Sequence, residues 1–381
     1  MTVAAFMDLA LYHPVLGYYA RAAQRSGRAG DFFTSVDVGP LFGELLEIQI
    51  ADMAELLSAD LKACAATDVA PAFRPATFDL VEAGAGNGRL SADILRAARQ
   101  RDAAFYNSVQ LHLVEASAEA RGAQRETLGD VAGRLSSAGT ALPDSFEGVL
   151  IANELLDAFP VHQVVMREDG LREVYVVGSR ESGVRSQERS DATTLRTTEG
   201  PPSTPELQAY LDRLGVTLEP GWRVEINLRA VEWMRDAARR LRRGFLILID
   251  YGHPARELYS EAHASGTLTT FSGHRSAGPE GPADAPAWLQ RPGERDLTAH
   301  VDFTSVQAAA EAEGLTTIGL LDQTYFLLGL LPSIRNPQPA LRSLNTLVMP
   351  GGLGSTHKVL ILGKNAVAPA LRGCSFSMRV T

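Results

Sequence analysis

Phe78-Asp-Leu-Val-Glu82-Ala-Gly84-Ala-Gly86-Asn-Gly88-Arg-Leu90 is the stretch from which the rest of the chain is read. An apolar strand, a turn with glycine at alternate positions and the first turn of a helix follow one another without a break. The glycines let the backbone reverse sharply and come close to a ligand. The helix opening near Arg89 points its free N–H groups into the same space. The spacing is G-x-G-x-G, not the G-x-G-x-x-G that grips a pyrophosphate. Alone, such a turn is equally consistent with a tight connection that binds nothing.

The next segment narrows the choice. Val109-Gln-Leu-His-Leu-Val-Glu115 is a second apolar strand, and it ends in an acid whose carboxylate can take two hydrogen bonds from a ribose diol. The alternative is a helix-capping or solvated Glu. Together the two features fit an adenosine that carries an amino acid in place of a second phosphate, which is the make-up of S-adenosylmethionine.

Strand and helix then alternate: strand 78–83, helix 89–101, strand 109–115, helix from Glu119, strand 148–152. This order predicts an α/β fold with a parallel sheet covered by helices on both faces. Ligands of such sheets sit at the carboxyl ends of the strands. The strand at 148–152 runs into Asn153-Glu154-Leu-Leu-Asp157-Ala-Phe-Pro160, two carboxylates and an amide before an X-Pro turn. A carboxylate here can grip a guanidinium through two parallel hydrogen bonds; Asn153 and Asp157 can equally cap the turn. A further apolar strand, Gly244–Ile249, delivers Asp250 and His253 to the same edge, as substrate contacts. His300 is read as a base, a substrate contact or a structural histidine, and Asp302 with Thr304 as the cap of a helix over 305–313.

Residues 1–70 read as a helical region preceding the sheet. Its aromatic turns, 11–19 and 30–35, bring Asp31, Thr34 and Ser35 into consideration beside a bound cofactor or substrate under a cover of rings, Asp31 and Thr34 as cofactor contacts; the alternative is a packed arm. Residues 71–363 form the sheet domain, with insertions at about 161–222 and 254–300. The polar 179–205 stretch reads as a mobile loop and 254–300 as a lid rather than core. A helix is expected over 230–243, its arginine-rich end solvated. His357–Gly363 is expected to be the last, edge strand, and the tail 364–381 shows no pattern.

With 36 basic and 45 acidic residues the chain carries −9, which argues against general nucleic-acid binding. Two cysteines, Cys64 and Cys374, are too few for a disulfide framework or a zinc cluster, so a reducing compartment, the cytoplasm, and no metal are expected. No secretory leader and no membrane span are read.

On the segments LYHPVLGYY, GDFFTS, VEAGAGNGRL, ANELLDAFPVHQ, EINLRAVEW, IDYGH, GTL and DLTAHVDFT, the chain resembles the MidA-like family of S-adenosylmethionine-dependent methyltransferases from about Leu11 to Gly363. That family includes a mitochondrial arginine methyltransferase that assists assembly of respiratory complex I. The resemblance implies a class I methyltransferase, Rossmann-like sheet of seven strands, six parallel with an antiparallel edge hairpin. It implies S-adenosylmethionine lined by Glu82, Gly84, Gly86 and Gly88, with Glu115 on the ribose. It places Glu154 first and Asp157 second, beside Asn153, on a cationic acceptor in a protein, a respiratory-complex subunit among the options. The chain departs from the family at His263-Ala-Ser, where an Arg is expected, and at LGSTHKVL. A small-molecule or RNA acceptor, an assembly factor without turnover, and a homodimer stay open.

Overall fold

A computed structural model of the chain describes residues 1–21, 34–65, 77–180, 193–272, 275–278, 284–334, 341–348, 353–366 and 370–376. The chain folds as two compact units. The sheet unit comprises Phe33–Leu155, Glu232–Gly252 and Val306–Thr381, and the second unit Met1–Phe32, Leu156–Val231 and His253–Ser305. Residues 1–70, read from sequence as one region, thus contribute to both.

The sheet unit is built on β1 (Phe78–Ala83), β2 (Val109–Val114), β3 (Leu135–Gly139), β4 (Phe146–Asn153), β5 (Leu241–His253), β6 (Thr316–Asp322) and β7 (His357–Lys364). Along the sheet the order is β6-β7-β5-β4-β1-β2-β3. β1, β2, β3, β4 and β5 pair in parallel. β7 pairs antiparallel with both β5 and β6, so β6 shares the direction of the parallel set. Of these seven strands, six run one way and one the other, as the family resemblance implies. The crossing from β1 outward to β3 and then back to β4 creates the switch point where open α/β sheets bind ligands.

Two glycines permit the close approach of the central strands. Asp79, Gly148 and Gly244 lie side by side across β1, β4 and β5. A Cβ on Gly148 would stand 2.1 Å from the Asp79 carbonyl oxygen, and one on Gly244 1.9 Å from that of Gly148. Over one face of the sheet the helix Leu41–Ala65 buries Phe42, Leu45, Leu46, Ile50 and Met53. The helix Arg89–Arg101 adds Leu90, Ile94 and Leu95 to the same core, which Leu80, Val149 and Ile247 complete from the strands.

Three expectations are corrected here. β7 is not the edge strand: β6 is, and Val359–Leu362 is apolar without a break because both its faces are covered. The helix expected over 230–243 runs Leu228–Arg240, and Arg242 and Arg243 already belong to β5. Arg243 donates to the Leu57 carbonyl at 2.6 Å, so this part of the arginine run is structural. The tail also takes part in the fold: Leu371 joins the main core, and the Gly373 N–H donates to Gln49 Oε1 at 2.9 Å.

In the second unit an antiparallel sheet has the order Thr193–Gly200, Gly170–Arg180, His162–Arg167, Arg223–Ile226. Alternation along His162–Arg167 sends Val164 and Val165 to opposite faces. Val165 meets Phe6, Met7 and Leu11 of the helix Val3–Tyr12, and Val164 meets Leu207, Tyr210 and Leu211 of the helix Glu206–Leu214. The expected loop over 179–205 is therefore in part a strand. Residues 181–192 lie outside the described residues.

The lid expected over 254–300 is likewise corrected. It carries a three-stranded antiparallel sheet, Arg275–Ala277, Thr269–Ser272 and Asp296–Thr298, and places Leu268, Trp288, Leu289 and Leu297 in the core of the unit. Asp302 caps the helix Phe303–Ala312 as expected, with Oδ1 accepting from the N–H groups of Thr304 (3.0 Å) and Ser305 (3.3 Å). Among the described residues no helix is long and apolar enough to cross a membrane.

Candidate active site

The carboxyl ends of β1, β2, β4 and β5 gather the polar residues of the sheet unit. After β1 the chain turns through Gly84, Gly86 and Gly88 at φ +72°, +50° and +83°, the left-handed region that glycine enters without steric cost. A Cβ on Gly84 would press on Leu155 at 3.0 Å and one on Gly88 on Leu113 at 3.2 Å. Among the described residues, a Cβ on Gly86 would meet nothing within 4 Å. Gly86 is the glycine of the turn that fronts open space.

Gly86 is also held at both ends. Its N–H donates to Glu115 Oε2 at 2.8 Å, and its carbonyl accepts from Gln124 Nε2 at 2.9 Å. Glu115 Oε1 accepts the Ser117 N–H at 2.7 Å. An ionised carboxylate offers about four acceptor sites, so after these two bonds it retains acceptor capacity for a diol. Glu82 faces inward instead. Its Oε2 accepts from the Ser91 N–H at 3.2 Å and from the Ser91 hydroxyl, tying β1 to the following helix. Burial pushes its carboxyl up to about 7, against the pull of the two Ser91 bonds.

The pairing Ala83↔Ala152 brings the glycine turn beside the residues that follow β4. There Glu154 takes φ +50°, one of three described non-glycine residues at positive φ. The strain is held by specific bonds: Glu154 N–H to the Ile249 carbonyl at 2.8 Å, and Glu154 Oε1 to the Ser35 N–H at 3.3 Å and Asn153 Nδ2 at 3.2 Å. His357 Nε2 lies 3.6 Å from the same oxygen, and its ring packs on Tyr251 with centroids 3.8 Å apart. Asp250 is a brace, with Oδ2 accepting the Leu155 N–H at 3.1 Å and Oδ1 the Tyr251 N–H at 2.8 Å.

Thr34 caps the short 3₁₀ turn Ser35–Val38, its N–H and hydroxyl donating to Asp37 Oδ2 at 3.2 and 3.1 Å. Asp31 lies outside the described residues. Sequence reading placed Ser35 in the region but missed Gln323 and His357. Ser35 Oγ donates to Gln323 Oε1 at 3.2 Å, a pairing of residues 288 apart that no local pattern announces. His357 had one visible mark, a lone polar residue at the head of an apolar strand. Asn153 Oδ1 and Gln323 Nε2 are buried with no hydrogen-bond partner among the described residues. A buried acceptor and a buried donor left unmet, with open space before Gly86, fit a polar nucleoside ligand.

Asp157, His253 and His300 belong to the second unit. Asp157 is buried, its carbonyl accepting the Ala299 N–H at 3.0 Å. Several of the quoted motifs meet there on one buried acid. Glu225 accepts from Gln163 Nε2 (2.8 Å), Thr267 N–H (2.7 Å) and Thr267 Oγ1 (3.0 Å), and the His300 N–H donates to Thr267 Oγ1 at 3.1 Å. Burial, then the neighbouring His253 and His263, pull the His300 imidazole down to about 4.

Residues 63–321 match the family described as S-adenosyl-L-methionine-dependent methyltransferases. The chain belongs to that family. This methyltransferase is 28% identical over 351 residues to the protein arginine methyltransferase NDUFAF7, mitochondrial, of Danio rerio, covering 86% of the chain and 72% of that protein. The Homo sapiens protein of the same name is 27% identical over 351 residues, covering 86% and 69%. A COG1565 superfamily member from Burkholderia thailandensis, solved bound to S-adenosyl-homocysteine, superposes with a TM-score of 0.80 at 29% identity, covering 99% of the chain and 91% of that one. The methyltransferase uses S-adenosyl-L-methionine as its methyl donor.

Proposed function

We propose that this methyltransferase places the methyl group on an arginine side chain of a partner protein. The observation that carries the reading is the acid turn beside the glycine turn. Glu154 is fixed in a strained backbone conformation, and its bonds among the described residues fall on Oε1. Oε2 is then the oxygen on offer to a cation. The printed names of the relatives at 27–28% identity, protein arginine methyltransferase, support the same acceptor.

The donor supplies an electrophilic sulfonium methyl when bound. On this reading Glu115 takes the ribose hydroxyls, Gly86 leaves room for the nucleoside, and Asn153 Oδ1 and Gln323 Nε2 meet its remaining polar groups. A guanidinium stays protonated at neutral pH, so its attacking nitrogen has little free electron density. Glu154 draws the charge toward the far side of the guanidinium and accepts the proton released as the N–C bond forms. His357, 3.6 Å from Glu154 Oε1, and Asn153 keep the carboxylate from rotating away.

The test is transfer of labelled methyl from S-adenosylmethionine to protein in a lysate lacking this enzyme, followed by hydrolysis and detection of methylarginine. Label in methylarginine that disappears with Glu154→Gln supports the proposal. Label confined to small molecules or RNA contradicts it.

A further inference from the structure

We propose that His253, His263 and His300 form a binding site for one divalent transition-metal ion of the zinc class. The three residues come from separate pieces of the second unit: the end of β5, the 3₁₀ turn Glu261–His263, and the segment after the strand Asp296–Thr298. One ring nitrogen from each lies within 4.8 Å of those of the other two. A tetrahedral set with metal–nitrogen bonds of about 2.0–2.1 Å needs these nitrogens about 3.3 Å apart, so side-chain movements of about 1 Å close the site.

The surroundings of the rings point the same way. His253 Nδ1 lies 3.1 Å from the Glu257 carboxylate, and His263 Nδ1 lies 2.9 Å from the Glu257 carbonyl oxygen. Each bond fixes a proton on Nδ1, which makes Nε2 the nitrogen that would meet a metal ion. A ligating histidine is commonly oriented in this way, its second nitrogen donating to a carboxylate or a carbonyl. One residue, Glu257, does this for both rings. His300 Nδ1 is buried with no hydrogen-bond partner among the described residues.

Ring centroids 4.8, 5.3 and 5.8 Å apart bring the three imidazoles close together. Three protonated rings this close would repel one another strongly. A metal ion held by three neutral rings avoids that penalty. Three neutral imidazoles suit zinc, copper, nickel or cobalt rather than magnesium or calcium. The absence of a metal expected from the cysteine count does not bear on a site that uses no cysteine. The ion would clip together segments 47 residues apart in the chain, whatever the methyl acceptor.

The test uses the full chain with any affinity tag removed, stripped with chelator, and titrated with Co(II) and separately with Zn(II). Expected are one equivalent of metal per chain by elemental analysis, visible d–d bands typical of low-coordinate cobalt, and a rise in Tm with Zn(II). His263→Ala and His300→Ala should each lose the equivalent. Glu257→Gln should keep it with affinity about 10–100-fold weaker, and His112→Asn in the sheet unit should leave it unchanged. A wild-type protein that takes up no Co(II), or an equivalent that survives in both alanine variants, overturns the proposal. The wild-type titration stands even if a variant does not fold. None of these measurements depends on methyl transfer.

Discussion

The Gly86 N–H donates to Glu115 Oε2 at 2.8 Å, so the turn after β1 and the acid after β2 are one rigid element rather than two neighbouring ligands. The bond holds open the space before Gly86 and fixes the carboxylate that fronts it. Losing the acid should therefore disturb binding both by removing a partner and by loosening the turn.

Glu115→Ala is expected to weaken S-adenosyl-homocysteine binding about 10–100-fold, the size expected for hydrogen bonds to a charged group at about 1.5–3 kcal/mol. Calorimetric titration of the variant and the wild type gives the ratio. An affinity within about twofold of wild type would remove Glu115 from the ribose.

Two glycines of the same sheet separate binding from folding. A methyl at Gly86 meets nothing among the described residues, so Gly86→Ala should cost only the left-handed strain of about 1–2 kcal/mol, yet it should block the ligand space. A methyl at Gly148 would fall 2.1 Å from the Asp79 carbonyl oxygen, so Gly148→Ala should fail to fold. Thermal melts and cofactor titration distinguish them. Normal cofactor affinity in Gly86→Ala would show that the turn is only a connection.

Glu82 gives a dependence on pH with a definite sign. Burial raises its carboxyl from 4.5 to about 7, so the folded chain holds this proton more tightly than the unfolded chain. The contribution to stability is fully present below about pH 4.5 and is lost as the pH rises through about 7. Glu82→Gln stays neutral throughout. Its stability relative to wild type should grow across this window, by up to about 3 kcal/mol. Glu47, raised to about 7 by burial in the same way, is present in both proteins and cancels. A difference that stays flat between about pH 4.5 and 8 would contradict the account.

The parts of this structure legible in the sequence are those whose signal is local. Phe78–Ala83 and Val109–Val114 announce themselves by apolar runs closed by a turn or an acid, and Asp302 by its place before a helix. What escaped depends on distant partners. Trp288 and Leu297 sit in elements of three residues, too short for any period to show. Arg242 and Arg243 continue a helical run of arginines, yet pairing with β4 draws Leu241 onward into β5. In the site, Gln323 becomes a functional candidate only through its hydrogen bond with Ser35, which the fold creates. The histidine cluster escaped for the same reason, since its members are 10 and 37 residues apart in sequence.

Leu371 tests the part of the tail that no pattern foretold. It is 2% exposed, within the core of the sheet unit. Leu371→Ala should destabilise the chain by about 2–5 kcal/mol, the range for emptying a buried leucine site. Urea unfolding measures it. A loss under about 0.5 kcal/mol would mean that the tail does not pack as described.

The central claim is that Glu154 handles a cationic acceptor and not the cofactor. The most direct measurement is one pair of numbers on Glu154→Gln: its S-adenosyl-homocysteine affinity, and its rate of label transfer from S-adenosylmethionine into methylarginine. The account predicts an affinity within about threefold of wild type and a rate lower by about 10²–10⁴-fold, the range for loss of a positioned proton acceptor. Methylarginine formed at the wild-type rate by this variant would contradict it.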